Sequence, residues 1–425
     1  MRGPTSSVFL ADGLAIGVRA GVAKPPDIER LVLPAVVPDA FIGLGLSIGL
    51  KPSQAQRWWL ETCGSPRRRR SKGNQPYMLP MRSAKDCYVS LTFNGRTGSI
   101  LALALPTLFW HRTRSNRRSR ERMTIMADNR MMAQMSSKDG FIAALDQSGG
   151  STPAALRLYG IPDSAYGGEA EMFKLMHEFR MRIITSPAFN GQKVLGAILF
   201  ERTMDGEMKG KPVPVYLWED RGVVPFVKVD KGLAAEKDGV SLMKPMPDVE
   251  PLLERAVKRG VFGTKMRSFI NLASQEGIAA VVKQQFDIAD QIAKHGLMPI
   301  IEPEVSIKSQ DKAGAEAILL AEITKRLDAL PEGHKVMLKL TIPSTPDLYA
   351  PFIVHKRVVR VVALSGGFTR DEACERLAEN HGMIASFSRA LAQDLRRSMN
   401  DAEFDKALAD SIDEIYQAST VKIAA

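Results

Sequence analysis

The chain has 425 residues, 45% of them hydrophobic, and carries 58 Lys and Arg against 47 Asp and Glu, a net charge of +11. That length suits one large domain with an appendage, or two to three smaller ones, and the apolar content is ordinary for a protein that buries a core. Cys63, Cys87 and Cys374 lie far apart with no CxxC spacing, and the six histidines form no HExxH pair. Nothing in these spacings points to a disulfide framework or a histidine-built metal site, and a reducing compartment is the default.

The charge is unevenly placed. Residues 1–122 hold 20 basic and 7 acidic residues, a net of +13, and the remainder holds 38 against 40, a net of −2. The basic excess belongs to the first segment alone. That segment contains Arg67 to Arg70 and six arginines between Arg112 and Arg122. Its apolar runs, Leu31 to Leu50 and Ile100 to Trp110, do not suit a membrane span: the first carries Asp39 and two prolines, the second is too short. Neither has signal-peptide anatomy. Three readings compete: translated upstream sequence outside the working protein, with Met123 or Met126 as the true start; an Arg-rich presequence; or a nucleic-acid-binding arm. The first is favoured, and the segment is expected to be disordered or non-native. The arm comes last, because no aromatics interleave with the arginines.

From Phe141 onward, short apolar runs alternate with amphipathic stretches. Strands are expected at Phe141–Asp146, Val194–Phe200, Pro225–Val229, Val261–Met266, Leu297–Glu302, Val336–Leu340, Val358–Leu364 and Met383–Phe387. Helical patterns cover Glu169–Ile184, Val249–Arg259, Ile278–His295, Ala315–Leu327 and Arg370–Asn380. Two more follow, Ala390–Met399 and Ala402–Ala418, with Asn400-Asp401 as break and cap between them. Little helix is expected between the second and third strands. Eight strands alternating with helices over 123–425 predict an α/β fold, a closed (β/α)8 TIM barrel, rather than an open doubly wound sheet.

The sixth strand sets Val336, Leu338 and Leu340 on one face and Met337, Lys339 and Thr341 on the other. A buried ammonium is costly unless it has an acidic partner or loses its proton, and a neutral amine is a nucleophile that forms Schiff bases. In a barrel, residues at the carboxyl ends of strands converge on one face. Those ends carry Asp146 with Ser148 and Ser151 just after; Lys228; Lys265 and Arg267; Glu302 and Glu304; Lys339; Ser365-Gly366-Gly367; and Ser386 with Arg389. Each alone has a plain structural reading as a turn, a solvated strand exit or a paired charge. Together they describe a cationic cup that also carries carboxylates, suited to a doubly anionic substrate. The amides of Ser365-Gly366-Gly367, ahead of a helix near Arg370, suit a phosphate, and Arg389 adds a fork of donors. Ser148, Ser151 and Lys228 suit a second phosphate across the mouth.

These stretches resemble the class I, Schiff-base-forming fructose-bisphosphate aldolases. The resemblance covers about Ser136 to Ser419, on Ala144-Leu145-Asp146-Gln147-Ser148, Val227 to Gly232, Lys265-Met266-Arg267, Pro299 to Glu304, Leu338-Lys339, Leu364 to Gly367 and Ser386 to Leu391. It implies a (β/α)8 barrel that cleaves fructose 1,6-bisphosphate without metal or cofactor. It matches Lys339 to the Schiff-base lysine, Asp146, Lys265 and Glu302 to acid/base residues, and Ser365, Gly366 and Arg389 to one phosphate, with Ser148, Ser151 and Lys228 at the other. This chain departs from the family in lacking a terminal tyrosine, its nearest being Tyr416, and in carrying Gln147, Met266 and Phe387 where an acidic residue, a tryptophan and a tyrosine are usual. These departures look like the shorter bacterial branch. A cytoplasmic homo-oligomer with a small sugar bisphosphate as its partner, and neither nucleic acid nor membrane, is expected.

The implied mechanism needs a neutral Lys339. A free lysine titrates near ~10.4, so about one in 2,500 is neutral at pH 7; bringing that to about 7 changes the balance by roughly 4–5 kcal/mol. Burial and the charge of Lys265 are expected to push that way. A singly phosphorylated substrate is the alternative within enzymes, and a nucleic-acid-binding protein the alternative outside them.

Overall fold

The structure is a computed structural model that describes residues 129–423 and, nearer the amino terminus, the strands Ser7–Ala11, Leu14–Val18, Tyr88–Phe93 and Arg96–Leu101. Those four strands pair as two antiparallel hairpins. The chain divides into two compact units, Met1–Arg122 and Met123–Ala425. Most of the expectation for residues 1–122 falls outside the described residues.

The second unit is built on eight parallel strands: β1 (Phe141–Leu145), β2 (Val194–Leu199), β3 (Val224–Lys228), β4 (Gly263–Ile270), β5 (Met298–Val305), β6 (Val336–Thr341), β7 (Val358–Leu364) and β8 (Ile384–Ala385). Each pairs with the next in chain order. The first and last meet where the Ala144 amide donates to the Phe387 carbonyl at 2.9 Å, which closes the sheet into a (β/α)8 barrel. The main helices are α1 (Thr152–Tyr159), α2 (Glu169–Thr185), α3 (Val213–Arg221), α4 (Val249–Lys258), α5 (Gln275–Lys294), α6 (Lys312–Ala329), α7 (Arg370–Ala378) and α8 (Asp401–Thr420). Side-chain caps start several of them: Ser274 on α5, Asp311 on α6, Thr369 on α7, and on α8 a reciprocal box of Asn400 and Glu403. Among the described residues no helix is long and apolar enough to cross a membrane.

Alternation along the strands separates two cores. Phe141, Ala143, Leu145, Leu338 and Leu340 pack outward against the helices. Ile142, Ala144, Ile198, Phe226, Ile300, Met337, Val362 and Ile384 pack together inside the barrel. Residues 129–137 are helical, and their Met131 and Met135 join this inner cluster as its floor. The floor is tied down by Gln134, which donates to the Leu195 and Gly222 carbonyls at 2.8 Å each, and by Arg360, which donates to the Met135 carbonyl at 2.8 Å.

Several expectations are corrected. The connection from β2 to β3 is not poor in helix: it contains α3, which Gly222 ends at φ +68°. Ala390–Met399 is not a helix; only the turn Arg389–Ala392 is helical. α1 and the floor helix went unread. Strands β4 and β5 run eight residues each, so Lys265, Arg267, Glu302 and Glu304 lie within strands rather than ending them.

Candidate active site

The inward face of each strand changes chemistry over one pleat. Ala144 is followed two residues on by Asp146, Phe226 by Lys228, Ile300 by Glu302, Met337 by Lys339 and Ile384 by Ser386. Period two keeps Lys228, Glu302 and Lys339 on the face their apolar neighbours occupy, and Asp146 and Ser386 join them from just beyond their strands, so the charges form a layer directly above the apolar filling. Lys265 joins them from β4. A further pleat outward, Arg267 on β4 pairs through Nε with Glu304 on β5, and the register sets Arg267 opposite Glu302.

In the charged layer, Lys265 Nζ lies 2.6 Å from Asp146 Oδ2 and 2.9 Å from Glu302 Oε2, and Lys339 Nζ lies 2.9 Å from Glu302 Oε1. All four side chains are buried. Two ammoniums and two carboxylates thus alternate in one chain, and each carboxylate meets at least one cation. Burial alone would raise the Asp146 pKa; the charges of Lys265, Lys339 and Lys228 outweigh it and hold the carboxyl well below the usual carboxylate range. Burial would lower Lys265, and Asp146, Glu302 and Asp230 push it instead well above the usual lysine range. In the resting site Asp146 is therefore held as the anion and Lys265 as the cation. Lys339 has the acidic partner that its buried position demands. The Glu302 amide donates to Gln285 Oε1 at 2.8 Å, so a fully buried glutamine on α5 holds that strand position from behind.

Lys228 turns onto Asp230, reaching its carboxylate and its carbonyl at 2.6 Å each. The other Asp230 oxygen accepts from the Arg267 amide at 3.2 Å. Asp230 escaped the candidate set, although its spacing of two from Lys228 was a readable sign that both share a face. Ser148 and Ser151 bond to one another across the turn ahead of α1, with the Ser148 amide 3.2 Å from Ser151 Oγ. Their described contacts are not with Lys228.

On the other side, Gly366 and Gly367 follow Ser365 at φ +60° and +121°. A Cβ on Gly367 would lie 3.5 Å from Arg389 Nη2, and one on Gly366 would strike Ile307 at 2.6 Å. Only glycine lets this loop turn in the left-handed region while its amides and the exposed Arg389 guanidinium share one small space. Ser386 is buried, and its hydroxyl makes no hydrogen bond among the described residues. Every residue read from the sequence except Ser148 and Ser151 thus has a described place in the charged layer, in the rim above it, or in this loop.

A family model described as fructose-bisphosphate aldolase class-I matches residues 168–342. The chain is 55% identical over 297 residues to the class 1 fructose-bisphosphate aldolase of Synechocystis sp., covering 70% of this chain and 99% of that one. This chain belongs to the class I fructose-bisphosphate aldolase family. It is accordingly a lyase of the metal-independent, Schiff-base class. A solved fructose-bisphosphate aldolase from Plasmodium falciparum superposes with a TM-score of 0.56 at 19% identity, over 70% of this chain and 96% of that one, and supports the fold.

Proposed function

We propose that the alternating chain Asp146–Lys265–Glu302–Lys339 performs reversible cleavage of fructose 1,6-bisphosphate, with Lys339 as the amine that bonds the sugar. The observation that carries this reading is the 2.9 Å approach of Glu302 to a buried lysine one pleat above the apolar Met337. Glu302 is placed to accept the proton that Lys339 must lose. The neutral amine then attacks the ketone carbon of the open-chain sugar, and Glu302 returns the proton to the hydroxyl that leaves the carbinolamine as water. The iminium draws electrons from the adjacent carbon–carbon bond while Asp146 takes the proton of the neighbouring hydroxyl. Glyceraldehyde 3-phosphate departs. The enamine is protonated, and hydrolysis of the iminium releases dihydroxyacetone phosphate and free Lys339. Lys265, a cation between the carboxylates, keeps Asp146 ionised until it takes that proton. One phosphate is taken by Ser365, Gly366, Gly367 and Arg389, the other by Ser148, Ser151 and Lys228, and two anchors hold the sugar extended across the layer. Ser386, Arg267 and Glu304 line the path between them.

Borohydride with dihydroxyacetone phosphate should add the reduced adduct to Lys339 alone. An adduct on another lysine, or none, overturns the assignment. Equal efficiency on fructose 1-phosphate and the bisphosphate would remove the second phosphate site and favour a singly phosphorylated substrate.

The basic residues 1–122 take no part in this scheme, and we assign the working enzyme to residues 123–425, as a cytoplasmic homo-oligomer. A protein cut to 123–425 should keep turnover and elute above monomer size on gel filtration. An inactive or monomeric product contradicts that assignment.

A further inference from the structure

Asp146 lies one residue beyond the end of β1, whose pairing with β2 stops at Leu145 opposite Leu199. The strand ladder therefore does not fix the direction of its carboxylate. The residue that follows it, Gln147, is held from elsewhere. Arg180, on the inner face of α2 and only 1% exposed, donates through Nη2 to the Gln147 carbonyl. Its Nη1 reaches Thr203 Oγ1 at 3.3 Å, and the guanidinium lies 5.5 Å from the centre of the Phe200 ring. Gln147 in turn donates from Nε2 to Ser388 Oγ at 2.7 Å, so the loop after the base is tied to α2 on one side and to the residue before Arg389 on the other.

A buried guanidinium that contacts a carbonyl, a hydroxyl and a ring, with its Nε making no hydrogen bond, is a poor stabiliser. An apolar side chain of similar volume would serve packing as well or better. Burial pushes the group down to about 10 while the Asp146 charge pushes back, so it stays cationic at neutral pH.

We propose that Arg180 is a positioning residue for carbon–carbon cleavage: it clamps the carbonyl of Gln147, the residue after Asp146, and so aims the Asp146 carboxylate at the hydroxyl it deprotonates. This rests on Asp146 being the cleavage base. Arg180 makes no hydrogen bond or ion pair with Lys339 or Glu302 among the described residues, and on this proposal Schiff-base formation does not depend on it.

The test uses the full chain and three variants, Arg180→Met, Arg180→Lys and Asp146→Asn, each measured for thermal unfolding, for borohydride trapping with dihydroxyacetone phosphate, and for kcat and KM on fructose 1,6-bisphosphate. A small misplacement of a reacting group costs about 10- to 100-fold in rate. Arg180→Met should therefore fold, trap like the parent and lose kcat by about that factor, with KM changed less than about threefold; Arg180→Lys should recover part of the loss. A folded Arg180→Met with kcat within about twofold of the parent overturns the proposal, and so does a parallel loss of trapping and turnover, which marks a merely structural role. If Arg180→Met does not fold, Arg180→Lys decides by the same split. Asp146→Asn separates the two layers of the argument. If it loses trapping together with cleavage, or keeps cleavage, the base assignment has failed rather than the role of Arg180.

Discussion

The floor and the mouth of this barrel are made by the same strands and the same inward face, yet they obey opposite rules. Below, Ala144, Phe226, Ile300 and Met337 fill space with no polar side-chain atoms to satisfy. One pleat higher, Asp146, Lys228, Glu302 and Lys339 are nearly as buried but carry charge. The floor needs only volume, so each residue there is replaceable by another of similar size. The mouth needs partners, so no member of the charged layer can be changed without altering its neighbour's charge balance. Met337 and Lys339, two residues apart on β6, put this contrast within one strand.

The largest effects should come from exchanging those roles. Lys339→Met removes a buried ammonium and leaves an apolar chain of similar length; Glu302 loses one cation but keeps Lys265 at 2.9 Å, so the fold should persist with a small change in melting temperature. Turnover and trapping should fall at least about 10³-fold, since loss of a covalent nucleophile costs more than loss of an assisting group. Met337→Ala should do the reverse. It opens a cavity in the floor and should cost about 2–5 kcal/mol of stability, while kcat at a temperature where the protein is folded stays within a few-fold. Unfolding curves and rates on both variants check the contrast. A Lys339→Met protein that still cleaves the bisphosphate would sink the mechanism, and a Met337→Ala protein that is stable but inactive would show that floor and mouth are not separable.

The floor was easier to read than the mouth for a physical reason. Apolar strands declare themselves through composition, and all eight were found from runs such as Val194–Leu199 and Val358–Leu364. Charges inside β4 and β5 looked like strand ends because a lone Lys265 or Glu302 is not tolerated in a buried strand. It is tolerated here because its partner comes from the next strand, and cross-strand pairing is invisible in a linear pattern. Lys339, Glu302, Asp146 and Lys265 were singled out as charges at strand ends, and the resemblance suggested their roles; their order in one alternating chain was not legible. Arg180 and Gln285 were missed because they sit on helices. Each nevertheless breaks an apolar face, Arg180 between Met176 and Ile183 and Gln285 between Val282 and Phe286, and a polar residue in such a place was the available signal.

The two proposed phosphate ends make a second comparison with smaller expected effects. Arg389 is exposed beside the left-handed glycines and is ready to meet an anion. Lys228 is buried and already shared with Asp230. A phosphate reaching Lys228 must compete with that carboxylate, whereas one reaching Arg389 displaces only solvent. Arg389→Ala should therefore raise KM for the bisphosphate by about 10- to 100-fold, the value of a hydrogen bond to a charged group, and leave the melting temperature unchanged. Lys228→Met should raise KM less but lower the melting temperature, because it strands the Asp230 carboxylate with only the Gly232 and Arg267 amides as donors. Steady-state kinetics and thermal unfolding on the two variants give the answer. If Lys228→Met raises KM as steeply as Arg389→Ala, Lys228 must leave Asp230 when substrate binds, and the resting pair is a latch rather than a shared charge. If it changes KM not at all, the second phosphate rests on Ser148, Ser151 and the amides ahead of α1 without Lys228.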